Sequence, residues 1–182
     1  MNDEALLSEL VEKTRVRSLD KNATILEPGA EAISMFFLAS GVVRSYFWGS
    51  DERTYTDGFY SQPGTLLSFG CMSCHKQEYG METVSKCEIL ELLALDAAEL
   101  TEKSLPFMQM CCRLLDRTLY MEWRDKTDYY QYTPQQRYQR FLKRYPDWKG
   151  KISSRYIADY VGIAPESLSR LRRRLRDEKQ IK

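Results

Sequence analysis

Between Leu105 and Gln131 lie 27 residues with no glycine and no proline after Pro106. A run of that kind propagates as one helix of about 40 Å. Ser104 stands where it can cap the first turn, and Pro106 is tolerated within that turn. Met108, Cys112, Leu115 and Leu119 recur along it at spacings of four, three and four, which makes a narrow apolar seam. Such a helix either pairs with a second copy as a coiled coil or lies along the chain's own β structure. The first is expected: a homodimer with those four side chains in the interface. At 182 residues the chain allows one large domain or two small ones around this rod.

Upstream, Leu6, Leu7, Leu10 and Val11 give residues 4–14 the pattern of a short amphipathic helix. From residue 23 the pattern turns to β. Thr24-Ile25-Leu26 runs into a Pro28-Gly29 turn, then come residues 35–38, 42–48 and 53–56 with breaks at Gly41 and Gly49–Glu52. Gln62-Pro63-Gly64 is a further turn, and strands are expected at 80–85 and 87–93. Short β-rich runs with turns between them argue for a small barrel or sandwich. Asp96 is then expected to cap a short helix ending at Lys103.

Downstream, Thr133-Pro134-Gln135-Gln136 restarts a helix, with Thr133 as N-cap, Pro134 as the first helical residue and Gln136 as the capping-box partner. It is expected to end near Tyr145-Pro146, with a turn at Lys149-Gly150-Lys151. Residues 1–132 carry 13 basic and 21 acidic side chains, net −8, whereas residues 133–182 carry 14 and 5, net +9. A basic unit beside an acidic one is the footprint of nucleic-acid binding, or else of a solvated basic helix.

The segment Ser154–Leu171 decides between these. Ile157, Val161, Ile163, Leu168 and Leu171 are spaced as in a helix-turn-helix, Ala158 is small where the second helix crosses, and Gly162 permits a positive φ in the turn. Pro165 starts the second helix without losing a needed hydrogen bond. Glu166, Ser167, Ser169, Arg170 and Arg173 then face outward, into a major groove if DNA is present.

These residues resemble the Crp–Fnr family of bacterial transcription regulators over nearly the whole chain, and the length is like that of short versions common in Bacteroidetes. Leu26-Glu27-Pro28-Gly29 and Phe36-Phe37-Leu38-Ala39-Ser40-Gly41-Val42-Val43-Arg44 resemble the opening of the family's β-roll, and Arg155–Ile163 resembles the first half of its helix-turn-helix. The resemblance implies an α+β fold in three parts. These are a cyclic-nucleotide-binding-like β-roll (1–103), a dimerisation helix (104–131) and a winged-helix-like helix-turn-helix domain (132–182). Glu166, Ser169 and Arg170 match the Fnr branch's base-reading Glu-x-x-Ser-Arg, which implies a palindrome of TTGA-like half-sites. Arginine donating to guanine and glutamate accepting from cytosine fit that role. Ser167, Arg172, Arg173, Arg174 and Arg176 are expected at phosphates or as accessory contacts. The partners implied are double-stranded DNA, a second copy of the chain, RNA polymerase and a small-molecule effector of unknown identity.

The departures matter equally. Counted back from Cys87-Glu88-Ile89, the family's phosphate-binding Arg-Ser pair falls on Gln77-Glu78 and its ribose-binding Gly-Glu pair near Leu66-Leu67. A carboxylate facing a phosphate is repulsive, so cyclic AMP is not expected to bind in the family's way. With the sequence ending at Lys182, a β-wing beyond the recognition helix is expected to be missing.

Other readings are thin. Cys71-Met72-Ser73-Cys74-His75 spells a c-type haem attachment motif, yet the acidic Met1–Glu4 start lacks an export signal, and five cysteines suggest no disulfide framework. The remaining cysteines are Cys87, Cys111 and Cys112, and none of the five lies where the Fnr branch places cluster ligands, so buried or incidental thiols are the expectation, with no metal and no cofactor. His75 is the only histidine, and no phosphate loop, dinucleotide fingerprint or Gly-x-Ser-x-Gly is present, so no catalytic residue and no enzyme is expected. No apolar run approaches 18 residues, and a cytoplasmic protein with no membrane partner is expected. The reading that follows is a homodimeric, allosteric transcription regulator. The alternative is a ligand-binding or protein-interaction β-roll whose basic tail binds nucleic acid without sequence preference.

Overall fold

The computed structural model describes residues 3–31, 33–68, 76–148 and 152–180. Helix α1 (Asp3–Lys13) leads directly into strand β1 (Thr14–Leu19), followed by β2 (Thr24–Leu26), β3 (Ser34–Ser40), β4 (Val43–Trp48), β5 (Thr54–Tyr60), β6 (Thr65–Ser68), β7 (Gly80–Thr83) and β8 (Cys87–Leu93). They form two antiparallel four-stranded sheets, ordered β1-β8-β3-β6 and β2-β7-β4-β5. The space between the sheets is filled by Leu26, Phe36, Leu38, Val43, Leu67, Met81 and Ile89, among others. Gly41 makes the β3–β4 turn at φ +97°, and a Cβ there would overlap the Lys86 carbonyl and the Cys87 thiol.

Two strands went unread in the sequence. Strand β1 is a sheet edge, carries Arg15 and Arg17, and leaves Val16 exposed, so it lacks the apolar alternation that marks a half-buried strand. Strand β6 has only four residues and follows the Pro63-Gly64 turn.

Helix α2 (Ala94–Lys103) continues from β8 without a loop. The expectation that Asp96 caps it is corrected: Leu93 precedes the helix and makes no side-chain cap bond. Asp96 sits in the first turn, and its carboxylate accepts from Lys13 Nζ at 2.8 Å, which ties α1 to α2. Helix α3 (Leu105–Gln131) has the limits expected, with Ser104 Oγ accepting from the Phe107 amide at 3.3 Å. Phe107 and Cys111 are the residues it buries, against Leu6, Met35, Leu66, Leu92 and Leu100. Further along, the helix is tied by polar contacts, Arg117 to Gln62 and Asp125 and Asp128 to Arg144 and Arg140, while Met108, Cys112, Leu115 and Leu119 are all exposed on the single chain.

Helix α4 (Pro134–Arg144) opens with the expected capping box, in which Thr133 Oγ1 accepts from the Gln136 amide and the Gln136 side chain accepts from the Thr133 amide. A 3-10 turn (Pro146–Trp148), α5 (Ser154–Val161) and α6 (Pro165–Gln180) complete the chain. The turn expected at 149–151 lies outside the described residues. No helix among the described residues is long and apolar enough to cross a membrane.

The core beneath α4, α5 and α6 is not closed by residues after 132 alone. Phe59 of β5 and Val84 lie in the same buried cluster as Phe141, Tyr145, Trp148 and Leu168. Phe59 meets Trp148 edge-on with ring centroids 5.7 Å apart, and its carbonyl accepts from the Tyr145 hydroxyl at 3.1 Å. Phe59→Ala is expected to cost about 3–5 kcal/mol and to split chemical denaturation into separate transitions for the roll and for residues after 132. Coincident transitions, read by near-ultraviolet dichroism and by tryptophan fluorescence, would contradict this.

Candidate nucleic-acid interface

The turn between α5 and α6 is built around Gly162. Its φ is +73°, its amide donates to the Asp159 carbonyl at 2.9 Å, and the Ile163 amide donates to the Ala158 carbonyl at 3.0 Å. This is the left-handed cap that glycine adopts without strain. A Cβ at Gly162 would stand 2.8 Å from the Tyr129 ring and 3.2 Å from the Arg137 guanidinium. Arg137 reaches under this turn from α4. It donates to the carbonyls of Tyr129 (2.8 Å), Tyr132 (2.6 Å) and Val161 (2.8 Å), so one side chain satisfies open carbonyls at the ends of both α3 and α5.

Ile157, Ala158, Val161, Leu168 and Leu171 are all buried in the shared core, with Ile163 and Leu175 packed against them. Burying Leu168 and Leu171 turns the opposite face of α6 outward. Glu166, Ser169, Arg170 and Arg173 fall on that face at helical spacing and are exposed, as is Arg176. Ser167 is half-buried. Among the described residues no carboxylate lies within ion-pair distance of Arg170, Arg173 or Arg176, so their charge faces solvent.

Arg172 and Arg174 are placed differently. Arg172 is half-buried, donating to Tyr138 Oη at 3.0 Å and to Ser154 Oγ at 2.7 Å, and so braces α6 against α4 and α5. Arg174 is exposed but donates to Gln135 at 2.6 Å.

Several groups that sequence reasoning left aside join this unit to the roll. Asp159 of α5 has a side chain only 3% exposed, 3.9 Å from the Arg53 guanidinium, with Oδ2 unpartnered. Burial raises its pKa against the lowering effect of the Thr56 amide and of Arg53. A cleft of about 1410 Å³ opens between α3, β5 and the helix-turn-helix. Burial raises the pKa of Asp57 and Glu122 within it, helped at Asp57 by the Asp125 charge and at Glu122 by the charges of Asp57 and Asp125. Among the described residues no group of three or more His, Cys, Asp or Glu side chains is disposed to hold a metal. Cys87 and Cys111 are buried thiols whose pKa burial raises. Cys71, Cys74 and His75 lie outside the described residues. Leu66 and Leu67, at the expected ribose-binding position, are buried in β6, and Gln77 is held by backbone bonds to Gly29 and Ala30.

No family model matches the chain, and no curated relative does. Solved structures do. A c-di-GMP-responsive global regulator from Xanthomonas campestris superposes with a TM-score of 0.79 at 18% identity, covering 97% of this chain and 93% of that one. FixK2 from Bradyrhizobium japonicum gives 0.77 at 19%, covering 91% and 86%. A protein from Eubacterium rectale assigned to the crp/fnr family of transcriptional regulators gives 0.78 at 15%, covering 98% and 85%. The chain has the Crp–Fnr fold. Within that fold the β-roll, the long α3 and the helix-turn-helix follow in the order expected from the sequence.

A raised carboxyl pKa means that the folded state favours the protonated form. The stability it contributes is therefore complete in acid and is lost as pH rises through the raised value. Asp159→Asn is expected to be at least as stable as wild type at neutral pH, with the gap closing as pH falls into the ordinary carboxylate range. Urea midpoints across that range check this; a variant less stable at neutral pH would show that pairing with Arg53 outweighs burial.

Proposed function

We propose that the protein is a homodimeric regulator of transcription that reads a palindromic DNA site with α6. The observation that carries this is the outward face of α6, where Glu166, Ser169 and Arg170 are exposed side by side on a helix held by a buried helix-turn-helix core. Arg170 donates to a guanine edge, Glu166 accepts from a cytosine, and Ser169 completes the contact, which gives a TTGA-like half-site. Arg173 and Arg176 neutralise phosphates, and Ser167, Arg172 and Arg174 are accessory, the last two also fixing the helix.

Residues 104–131 form the dimerisation unit. Four exposed apolar side chains in one seam on a helix of about 40 Å match what a parallel partner helix covers. Residues 1–103 form the regulatory unit, which acts on the spacing of the two recognition helices and does not bind cyclic AMP in the family's way. The cleft beside Asp57 and Glu122 leaves room for the second reading, a ligand-binding module whose basic end binds nucleic acid without sequence preference.

The test is fluorescence anisotropy against a TTGA palindrome and a scrambled duplex at several salt concentrations. A preference of roughly a thousandfold with a steep salt slope is expected, whereas equal weak binding to both favours the second reading. Arg170→Ala is expected to lose about 1–3 kcal/mol and to relax preference at one position of each half-site. Arg173→Ala is expected to weaken all duplexes alike and to lower the salt slope by about one. Leu115→Glu is expected to yield monomers in analytical ultracentrifugation; an unchanged dimer would place the interface elsewhere.

A further inference from the structure

The contact between the roll and the helix-turn-helix contains a directional joint built around a buried charge. Arg44 of β4 is 3% exposed and faces Glu82, its cross-strand partner on β7. Its Nε donates to Glu82 Oε1 at 2.7 Å, and its Nη1 donates to Thr56 Oγ1 at 3.0 Å. The roll thus supplies the counter-charge that a buried guanidinium requires. The same Oε1 of Glu82 also accepts from the hydroxyl of Tyr156, in the first turn of α5, at 2.9 Å. The Tyr156 ring centroid lies 4.0 Å from the Arg44 guanidinium, and a second ring, Tyr46, lies at 4.6 Å.

The geometry points to Glu82 as a positioning residue through which the β-roll sets the seat of α5, and with it the orientation of the helix-turn-helix. The Phe59 ring packs apolarly, its carbonyl accepts from the Tyr145 hydroxyl beyond the end of α4, and the Thr56 amide bonds Asp159 further along α5; none of these ties the first turn of α5 to β7. The Tyr156 hydroxyl bond is directional and sets where α5 sits along β7. Strand β7 begins just after Gln77, whose backbone is tied to the Gly29–Ala30 turn. A shift of that part of the roll moves Glu82, and with it the first turn of α5. In the docked arrangement the reading face of α6 is exposed, so the joint holds that face in a presented state.

The consequence for DNA binding rests on the reading proposed above, and the experiment separates the two. Tyr156→Phe removes the hydroxyl and keeps the ring over Arg44. Arg155→Gln, next to it and exposed, serves as control. Hydrogen exchange on the full-length protein without DNA is expected to show α5 amides exchanging about tenfold faster in Tyr156→Phe, with β4 and β7 unchanged and the control like wild type. Unchanged α5 exchange overturns the joint. In anisotropy, Kd for the preferred duplex is expected to rise about fivefold, because the competent orientation becomes less populated, while the salt slope stays the same. An unchanged or tighter Kd overturns the positioning role. If wild type itself prefers no duplex, the DNA-binding reading fails while hydrogen exchange still decides the joint.

Discussion

A guanidinium taken out of water inside a sheet must find its counter-charge and acceptors within reach, because leaving it unpaired costs several kcal/mol. Arg44 meets this demand on β4 by drawing on β7 for Glu82, on β5 for Thr56, and on two tyrosine faces. One of those faces, Tyr156, belongs to the helix-turn-helix. The solvation shell of one buried charge is therefore completed by a residue more than a hundred positions along the chain. Phe59, on the neighbouring strand, enters the core beneath α4–α6 at the same junction. The roll and the helix-turn-helix unit are consequently not two bodies on a tether, and a disturbance of the β4–β5–β7 sheet reaches α5 without passing through α3.

The other end of the unit is held by Arg137. Helix α3 stops at Gln131 because Pro134 denies it a donor and Thr133 offers a better start to α4. That break leaves open carbonyls at the end of α3, and α5 ends nearby with another. Arg137 joins them, and Gly162 makes the approach possible by having no side chain to meet Tyr129. The orientation of α6 thus depends on two anchors: Glu82 with Phe59 on the roll side, and Arg137 on the rod side.

How much of this could be read in advance follows from how local each signal is. The limits of α3 and the capping box of α4 were legible because Ser104, Pro106, Thr133, Pro134 and Gln136 act within a few residues of themselves. The helix-turn-helix was legible because its turn requires a small Ala158 and a left-handed Gly162 at fixed spacing from buried Ile157, Val161 and Leu168. Strand β1 was not, since an edge strand carrying Arg15 and Arg17 shows no apolar alternation. Asp96 misled because a capping residue type is also an ordinary partner for a lysine, here Lys13. The junction was missed altogether, although one sign was present: Arg44 stands inside the apolar and aromatic run Val42–Trp48, and a charge there needs a partner that the run itself does not contain. An outward Phe59 gives no such sign, because nothing along a strand separates an aromatic facing water from one facing another unit.

The central claim is that two copies of α6, carried on paired α3 helices, read DNA together. Selection of binding sites from a pool of random duplexes with the full-length protein tests it most directly, since no operator is assumed. The account predicts enrichment of an inverted repeat whose half-site centres lie about 10 base pairs apart. Enrichment of a single unrepeated half-site, or of no sequence at all, would contradict it.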